Sequence, residues 1–259
     1  MSEQRDWESI FTEVFSAPPS LIEATIFSAV YGDEYPSEVE PYSFITRSEL
    51  ATFVEQLNID QESLLLDMAC GRGGPGLWVA SQTGSSVVGV DISPTAIAEA
   101  TERAQRLGLA SRSRYVMGDF SAIPIDDRSV HAVMCIDALI FAVDKSVAID
   151  EIARVLRPGG RFVATTWDYR SQPVGRPPQV ADHSELLAQS GFYLLSYDEI
   201  PHWRENQNRI NNMMLEQVDA MAAEYGGDPG ELRESLIELT ASLDQTLRRV
   251  LFVASRATT

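Results

Sequence analysis

Short apolar runs alternate with longer amphipathic stretches over most of the chain, and this alternation restricts the fold more than any other feature. The runs number seven and are LLLDM from Leu64, SVVGVD from Ser86, RYVMGD from Arg114, HAVMCID from His131, RFVATTW from Arg161, FYLLSY from Phe192 and RVLFVAS from Arg249. Strands without a polar face are buried on both sides, as in a parallel sheet covered by helices. The pattern predicts an α/β fold with a doubly wound, mostly parallel sheet of seven strands.

Two regions fall outside this alternation. Residues 1–60 contain a helical segment near 48–57 and an aromatic run punctuated by prolines, which we interpret as an N-terminal cap. Residues 202–247 contain a glycine break followed by Asp228 and Pro229, a typical helix start. This second region predicts a helical pair inserted into the last hairpin of the sheet, where it would act as a lid. The core would then comprise residues 61–201 and 248–259.

The bulk composition argues against several kinds of partner. A formal net charge of −18 opposes binding to nucleic acids and to anionic membrane surfaces. The chain lacks the roughly 20 consecutive apolar residues of a membrane span, and its acidic opening is unlike a signal peptide, so we expect a cytoplasmic location. Cys70 and Cys135 lack the paired spacing of a disulfide framework or a zinc site, and no metal is indicated.

A glycine-rich turn in LLLDMACGRGGPG lies directly between a buried strand and a helix that starts near Pro75. Small residues let the backbone approach a ligand, and the first N–H groups of a helix are free to donate to it. The turn therefore predicts a nucleotide-like ligand. Gly71, Gly73 and Gly76 also match the G-x-G-x-x-G pattern of dinucleotide-binding folds, with Asp91 as the ribose-binding acid, so a nicotinamide-dependent oxidoreductase remains open here.

Further residues favour a different nucleotide. Asp67 lies near the end of the first run, where it would repel a pyrophosphate but suits an ammonium group. Asp119 ends the third run, where its carboxylate can accept from an adenine amino group while Phe120 packs on the base. No Tyr-x-x-x-Lys pair follows the fourth run, and Lys145 is the only lysine.

Four segments together carry a resemblance to a known family. In order and spacing, LLLDMACGRGGPG, VVGVDISPTAI, YVMGDFSAIP and ARVLRPGGRFVATTW resemble the successive motifs of class I S-adenosylmethionine-dependent methyltransferases. The resemblance implies a Rossmann-like core, S-adenosylmethionine as cofactor and S-adenosylhomocysteine as product. It also implies methyl transfer to O, N or C of a small-molecule substrate, as in natural-product or sugar tailoring.

The resemblance further implies which residues bind the cofactor. Asp67 would contact the methionine amino group, and the methionine and ribose would be lined by the backbone of Ala69, Cys70, Gly71 and Gly73. Asp91 would bind both ribose hydroxyls, and Ile92 would cover one face of the adenine. The remaining contacts would come from Asp119 to the adenine amino group, from Phe120 to the ring and from Ile136 to the sulfonium.

Residues for chemistry and acceptor binding are less clearly indicated. Asp137 is the first candidate general base, because the carboxyl end of a central strand opens onto the ligand crevice; a turn-capping role explains it equally well. His202 is the second candidate, with a solvent-facing surface histidine as the alternative. An apolar acceptor pocket would be walled by aromatic residues, each also explicable as ordinary packing: Tyr31, Tyr35, Tyr42, Trp167 and Trp203.

One alternative keeps the cofactor and changes the chemistry. The same fold can bind S-adenosylmethionine for electrostatic help in a cyclisation or an isomerisation, or it can serve as a non-catalytic partner subunit. The oligomeric state is not indicated by any of these features.

Overall fold

The computed structural model describes residues 6–258 and is organised around one seven-stranded sheet. The strands are β1 Leu64–Met68, β2 Ser86–Asp91, β3 Ser113–Met117, β4 Val130–Ile136, β5 Leu156–Tyr169, β6 Phe192–Glu199 and β7 Thr246–Arg256. They lie in the order β3-β2-β1-β4-β5-β7-β6. β7 runs antiparallel to β5 and β6, and the other neighbours are parallel. The predicted α/β fold with a mostly parallel seven-stranded sheet is confirmed.

Helices cover both faces of the sheet and its carboxyl edge. They are α1 Trp7–Ser16, α2 Leu21–Tyr31, α3 Arg47–Gln56, α4 Gly74–Thr83, α5 Pro94–Arg106, α6 Lys145–Val155, α7 Ser184–Gln189, α8 Trp203–Glu216, α9 Val218–Tyr225 and α10 Pro229–Gln245. α5 begins where predicted, because the Ser93 side chain accepts a hydrogen bond from the Ala96 amide and Pro94 occupies the first turn. Residues 1–5 of the expected N-terminal cap lie outside the described residues.

The insertion between β6 and β7 consists of three helices, α8, α9 and α10, and the prediction of a helical pair was wrong in this detail. Gly226, at φ 72°, ends α9, and the Asp228 carboxylate caps α10, as the glycine break and the Asp-Pro pair indicated. The break between α8 and α9 falls at Gln217, with φ −109° and ψ 14°. Neither glycine nor proline marks this position, so the sequence reads there as one continuous helix.

Apolar side chains fill the spaces on both faces of the sheet. On one face, Ile149 and Ile152 of α6 pack with residues of β4 and β5. On the other face, Leu50 and Phe53 of α3 pack with Leu77 of α4. The central strands β1, β2, β4, β5 and β7 are buried on both sides, as their apolar runs predicted. The prediction was wrong for the edge strands β3 and β6, most of whose residues are partly or fully exposed.

The N-terminal helices and the insertion pack against each other. Ile26 of α2 contacts a cluster that includes Ile210 and Met214 of α8 and Leu236 of α10. The two regions outside the sheet therefore share an apolar core of their own and form a single cover over the carboxyl edge. Among residues 6–258, no helix combines the length and the apolar composition of a membrane span.

Candidate functional site

A cavity of about 1270 Å³ opens at the carboxyl ends of the parallel strands. Its floor includes Asp67 of β1, Asp91 of β2 and Ile136 of β4, and its walls come from α1, α2, α8 and α10. Ligands of open α/β sheets bind at this edge, because the loops that follow the strands diverge there. The cavity is therefore the candidate site.

The glycine-rich turn reaches this cavity through an alternating backbone conformation. Ala69, Gly71 and Gly73 all have left-handed φ values, of 60°, 50° and 72°. This conformation costs alanine on the order of 1 kcal/mol and glycine almost nothing, so the turn holds some strain at Ala69. Ala69, Cys70 and Gly71 line the cavity as expected.

Gly73 serves packing and does not line the cavity. A Cβ atom at this position would lie 3.0 Å from both the Tyr115 hydroxyl and the Ala100 Cβ. The glycine therefore permits the start of α4 to press against β3 and α5. The expected contact of Gly73 with the cofactor is not supported by its position.

Asp67 is buried and closely packed against Gly76. Its side chain is 4% exposed, and it accepts a hydrogen bond from the Gly76 amide. A Cβ atom at Gly76 would lie 2.2 Å from Oδ2 of Asp67, so only glycine fits there. Burial and the nearby charge of Asp91 raise the pKa of Asp67 to about 7. A cation placed beside this carboxyl group would stabilise its ionised form.

Two further carboxylates line the same end of the cavity. Oδ2 of Asp91 accepts from the Gly71 amide at 2.8 Å and Oδ1 from the Ser93 amide at 2.9 Å. Burial raises the pKa of Asp91. Asp119 accepts three hydrogen bonds from residues 121–122, all on Oδ1, which leaves Oδ2 outside these bonds. Beside these acids, the half-buried side chains of Ile92 and Phe120 line the wall.

Asp137 lines the cavity, but its carboxylate is already engaged. Oδ1 and Oδ2 each accept from the Arg249 guanidinium at 3.1 Å, and Oδ2 also accepts from the Phe44 amide at 2.9 Å. A base needs a lone pair directed at the proton that it removes. The contacts therefore disfavour Asp137 as the general base and make it a member of a buried ion network.

Arg249 is the centre of that network and was missed in the sequence. Its side chain is 1% exposed, and it donates to Glu49 at 2.7 Å as well as to Asp137. Burial by itself lowers the pKa of Arg249, but the charges of Asp137 and Glu49 raise it overall. An arginine at the start of the last apolar run was the only sequence signal for this network.

Three predicted residues lie around a different, smaller cleft. Tyr31, His202 and Trp203 line a depression of about 290 Å³. The His202 side chain is 78% exposed and faces Glu205 at 3.8 Å, while Trp203 is buried and donates from Nε1 to Glu199 at 2.9 Å. The first turn of α8 is held at the sheet by the bond from Trp203 to Glu199, and the cavity face of α8 begins one turn later at Gln207. The structure thus disfavours His202 as a catalytic residue and both Tyr31 and Trp203 as acceptor contacts.

The other aromatic candidates do reach the large cavity. Tyr35, Tyr42 and Trp167 line it. They are joined by Glu23 and Tyr225, which the sequence did not single out, and the Tyr225 hydroxyl hydrogen-bonds the Glu23 carboxyl group. Burial raises the pKa of Glu23, with the charge of Glu224 adding to the effect.

Helix α1 closes the cavity above the glycine-rich turn. Its Trp7 and Phe11 rings each lie 4.9 Å from the Phe141 ring, centroid to centroid. Arg72 of the turn donates to the backbone carbonyls of Phe15 and Ala17 at the end of the helix. Among residues 6–258, no group of three or more His, Cys, Asp or Glu side chains is arranged to hold a metal ion.

Comparison with known proteins agrees with this geometry. Residues 66–164 match the family model described as a methyltransferase domain. Methyltransferase GfsG of Streptomyces halstedii is 32% identical over 127 residues, which are 49% of this chain and 46% of that protein. Sterol 24-C-methyltransferase erg6 of Aspergillus fumigatus is 36% identical over 126 residues, which are 49% and 33% of the two chains. The chain thus spans less than half the length of these curated relatives.

Solved structures share the fold over nearly the whole chain. The [4+2]-cyclase SpnF superimposes with a TM-score of 0.76 at 20% identity, covering 100% of this chain and 97% of SpnF. A geranyl diphosphate C-methyltransferase from Streptomyces coelicolor A3(2) gives 0.67 at 17% identity, covering 99% and 100%. The superpositions establish the Rossmann-like fold, and the family match sets aside the nicotinamide-dependent alternative. Residues 66–164, which carry the glycine-rich turn and the acidic strand ends, thus match a methyltransferase domain.

Proposed function

We propose that the protein transfers a methyl group from S-adenosylmethionine to a small molecule with a large apolar body. The observation that carries the proposal is one continuous cavity of about 1270 Å³ that joins the acidic strand ends to an apolar chamber. The chamber is walled by side chains such as Met214, Leu236 and Leu239 from the insertion. Specific small-molecule sites have this composition, with few polar groups in a mostly apolar wall.

The acidic end has the donors and acceptors that S-adenosylmethionine requires. Asp67 would pair with the ammonium group, Asp91 would accept from the ribose hydroxyls, and Oδ2 of Asp119 would accept from the adenine amino group. Ile92 and Phe120 would cover the adenine, and Ile136 would face the sulfonium, while the turn at 69–71 would line the methionine portion. Bound there, S-adenosylmethionine supplies an electrophilic methyl group on a positively charged sulfur.

Positioning and exclusion of water are the principal contributions of the chain itself. An in-line displacement needs the acceptor atom roughly 3 to 3.5 Å from the methyl carbon, and rigid walls supply that alignment. α1, α2 and the insertion close the cavity on the side away from the sheet. A lid role for the insertion is thus proposed from its place over the strand ends. A cytoplasmic location and the absence of a nucleic-acid partner stay predictions from composition.

The first test removes the proposed ribose contact. Asp91→Ala should weaken S-adenosylhomocysteine binding by about 100-fold, because two hydrogen bonds to a charged group contribute roughly 1.5 kcal/mol each. Titration calorimetry with the wild type and the variant measures this directly. The control is Asp126→Ala, which removes an exposed carboxylate far along the chain from the turn. Unchanged affinity in Asp91→Ala would contradict the cofactor assignment.

Glu23 is our proposed base where the acceptor must lose a proton, since Asp137 is held by Arg249. The raised pKa of Glu23 predicts that kcat/KM increases with pH until this carboxyl group is ionised. Glu23→Gln should lower kcat by about 100-fold or more and abolish that increase. Rates of labelled methyl transfer between pH 5 and 9 test this at saturating S-adenosylmethionine, so that ionisation of Asp67 does not contribute, with the exposed Glu55→Gln as control. An unaltered pH profile in Glu23→Gln would exclude Glu23 as the base.

The alternative of a cofactor-binding enzyme that does not methylate makes a different product. A cyclase or an isomerase would use the same chamber to fold its substrate. A non-catalytic partner subunit would convert no substrate there. Methyl transfer is favoured because the match over residues 66–164 is to a methyltransferase domain. Incubation with a methyl-labelled donor separates the two classes, since conversion without label in the product supports the alternative.

A further inference from the structure

Two amide side chains of α8 face the large cavity without complete hydrogen bonding. Gln207 and Asn211 are one helical turn apart and both line the cavity. Their side chains are 3% and 1% exposed. Within residues 6–258, Nε2 of Gln207 and Oδ1 of Asn211 have no hydrogen-bond partner.

Such atoms are costly in a folded protein. A buried polar atom that loses its water without gaining a partner destabilises the folded protein. The neighbouring buried positions of α8, Ile210 and Met214, are apolar and pack with α2 and α10. Apolar side chains at 207 and 211 would avoid this cost. The presence of two amides there is explained if a bound ligand supplies the missing hydrogen-bond partners.

We propose that Gln207 and Asn211 recognise a neutral hydroxyl or carbonyl group on the acceptor. A hydroxyl can accept from Nε2 of Gln207 and donate to Oδ1 of Asn211, and a carbonyl can accept from Nε2. The amides carry no charge, so they cannot offset the loss of hydration of an ionic group. The inference rests on the proposed function and makes the acceptor class an apolar alcohol or ketone.

The surrounding wall supports an apolar body for this molecule. Leu239 and Leu243 of α10 and Trp167 of β5 line the same cavity as the two amides. Burial of a hydrocarbon framework against these side chains favours binding but does not orient the molecule. The amide pair would orient it, because a hydrogen bond fixes one point of an otherwise non-directional contact.

The experiment compares two probes that differ by one hydroxyl group. We use cyclododecanol and cyclododecane, with binding measured by displacement of Nile red, both with and without saturating S-adenosylhomocysteine. Wild-type protein should bind the alcohol about tenfold more tightly, as expected from roughly 1.4 kcal/mol of hydrogen bonding. The double variant Gln207→Leu with Asn211→Leu should bind the two probes equally. Each single variant should keep a smaller preference for the alcohol, because one of the two hydrogen bonds remains.

Stability supplies a second readout that needs no ligand. Each leucine variant should unfold at a urea concentration equal to or above that of the wild type, because an unpaired buried amide is replaced by an apolar side chain of similar size. Asn212→Leu makes the same change at an exposed position of α8 and should keep the alcohol preference.

Two results would overturn the inference. One is wild-type protein that binds both probes equally, and the other is an alcohol preference that survives in the double variant. Failure of the proposed function would be recognised separately, as absence of S-adenosylhomocysteine binding by the wild type. The probe comparison without S-adenosylhomocysteine decides the role of the amides in that case as well.

Discussion

Arg249→Met should lower the free energy of unfolding by about 3–5 kcal/mol, because it leaves two buried carboxylates without their cation. Glu49 and Asp137 both pair with this guanidinium, at 2.7 Å and 3.0 Å, and both are themselves buried. Methionine fills most of the volume but supplies no donor. Urea unfolding at pH 7 measures the loss.

A combined variant separates lost charge from lost packing. Arg249→Met with Glu49→Gln and Asp137→Asn carries no buried charge at these positions and should recover a large part of the lost stability. Arg209→Met changes an exposed arginine of α8 and should be neutral within about 0.5 kcal/mol. If the triple variant is no more stable than Arg249→Met, unpaired charge is not the cause.

This network also bears on the cavity. It connects α3 through Glu49, the end of β4 through Asp137 and β7 through Arg249 itself. Asp137 has a left-handed φ of 55°, and its bond from the Phe44 amide ties the N-terminal region to the strand end. Arg249 is therefore a positioning residue that holds the floor of the cavity against its cover.

Asp67→Asn should increase the stability of the ligand-free protein at pH 8 by about 2–4 kcal/mol. The pKa of Asp67 is raised to about 7, chiefly by burial. Between pH 4 and pH 7, the folded protein retains a proton that the unfolded chain releases, so stability falls as pH rises through this interval. Asparagine has the same shape and no charge to bury, so this contribution to the pH dependence should disappear.

Asp67→Asn should also weaken binding of the cofactor product. S-adenosylhomocysteine carries an ammonium group, and loss of the carboxylate beside it should reduce affinity by about tenfold or more. Urea unfolding at pH 5 and pH 8, with calorimetric titration at pH 8, measures both effects. The exposed Asp126→Asn should change neither. Equal stability of Asp67→Asn and wild type at pH 8 would show that Asp67 is not buried as an unfavourable charge.

The predicted effects at Asp67 and at the amide pair have a common physical basis. At both places, within the described part of the chain, a buried polar group in the cavity wall lacks a full set of partners in the ligand-free protein, and this destabilises the fold. Replacement by a neutral or apolar side chain then stabilises the protein while weakening a ligand. Such opposition between stability and binding is expected where a site is built for a molecule that supplies the missing partner.

Local patterns in the sequence were sufficient for the sheet and for the acidic end of the cavity. Each apolar run became a strand. In the central strands the reason is that burial on two faces requires an apolar side chain at nearly every position, whereas the edge strands β3 and β6 are largely exposed. The motif at 67–76 became a turn with Asp67 against Gly76, since spacing along one strand and one turn places these residues within a few ångströms. The third strand ended at Met117, slightly short of the predicted Asp119.

Contacts between distant segments were not readable in the same way. Asp137 has a position that suits a base, but Arg249, more than a hundred residues later, occupies its carboxylate. His202 and Trp203 are near the insertion in sequence, yet the packing of α8 directs them to the smaller cleft. Glu23 and Gln207 reach the cavity through helices with no recognisable motif.

The sequence by itself determined the number of strands and placed the acids at 67, 91 and 119 at or near strand ends, because these follow from periodicity and from spacing within single elements. The cofactor class came from the resemblance of four motifs in order and spacing. Only the tertiary structure decided which side chains line the acceptor chamber and which charges are already paired. Those properties depend on how α2, α8 and α10 pack over the sheet, and packing between remote segments leaves no periodic signal along the chain.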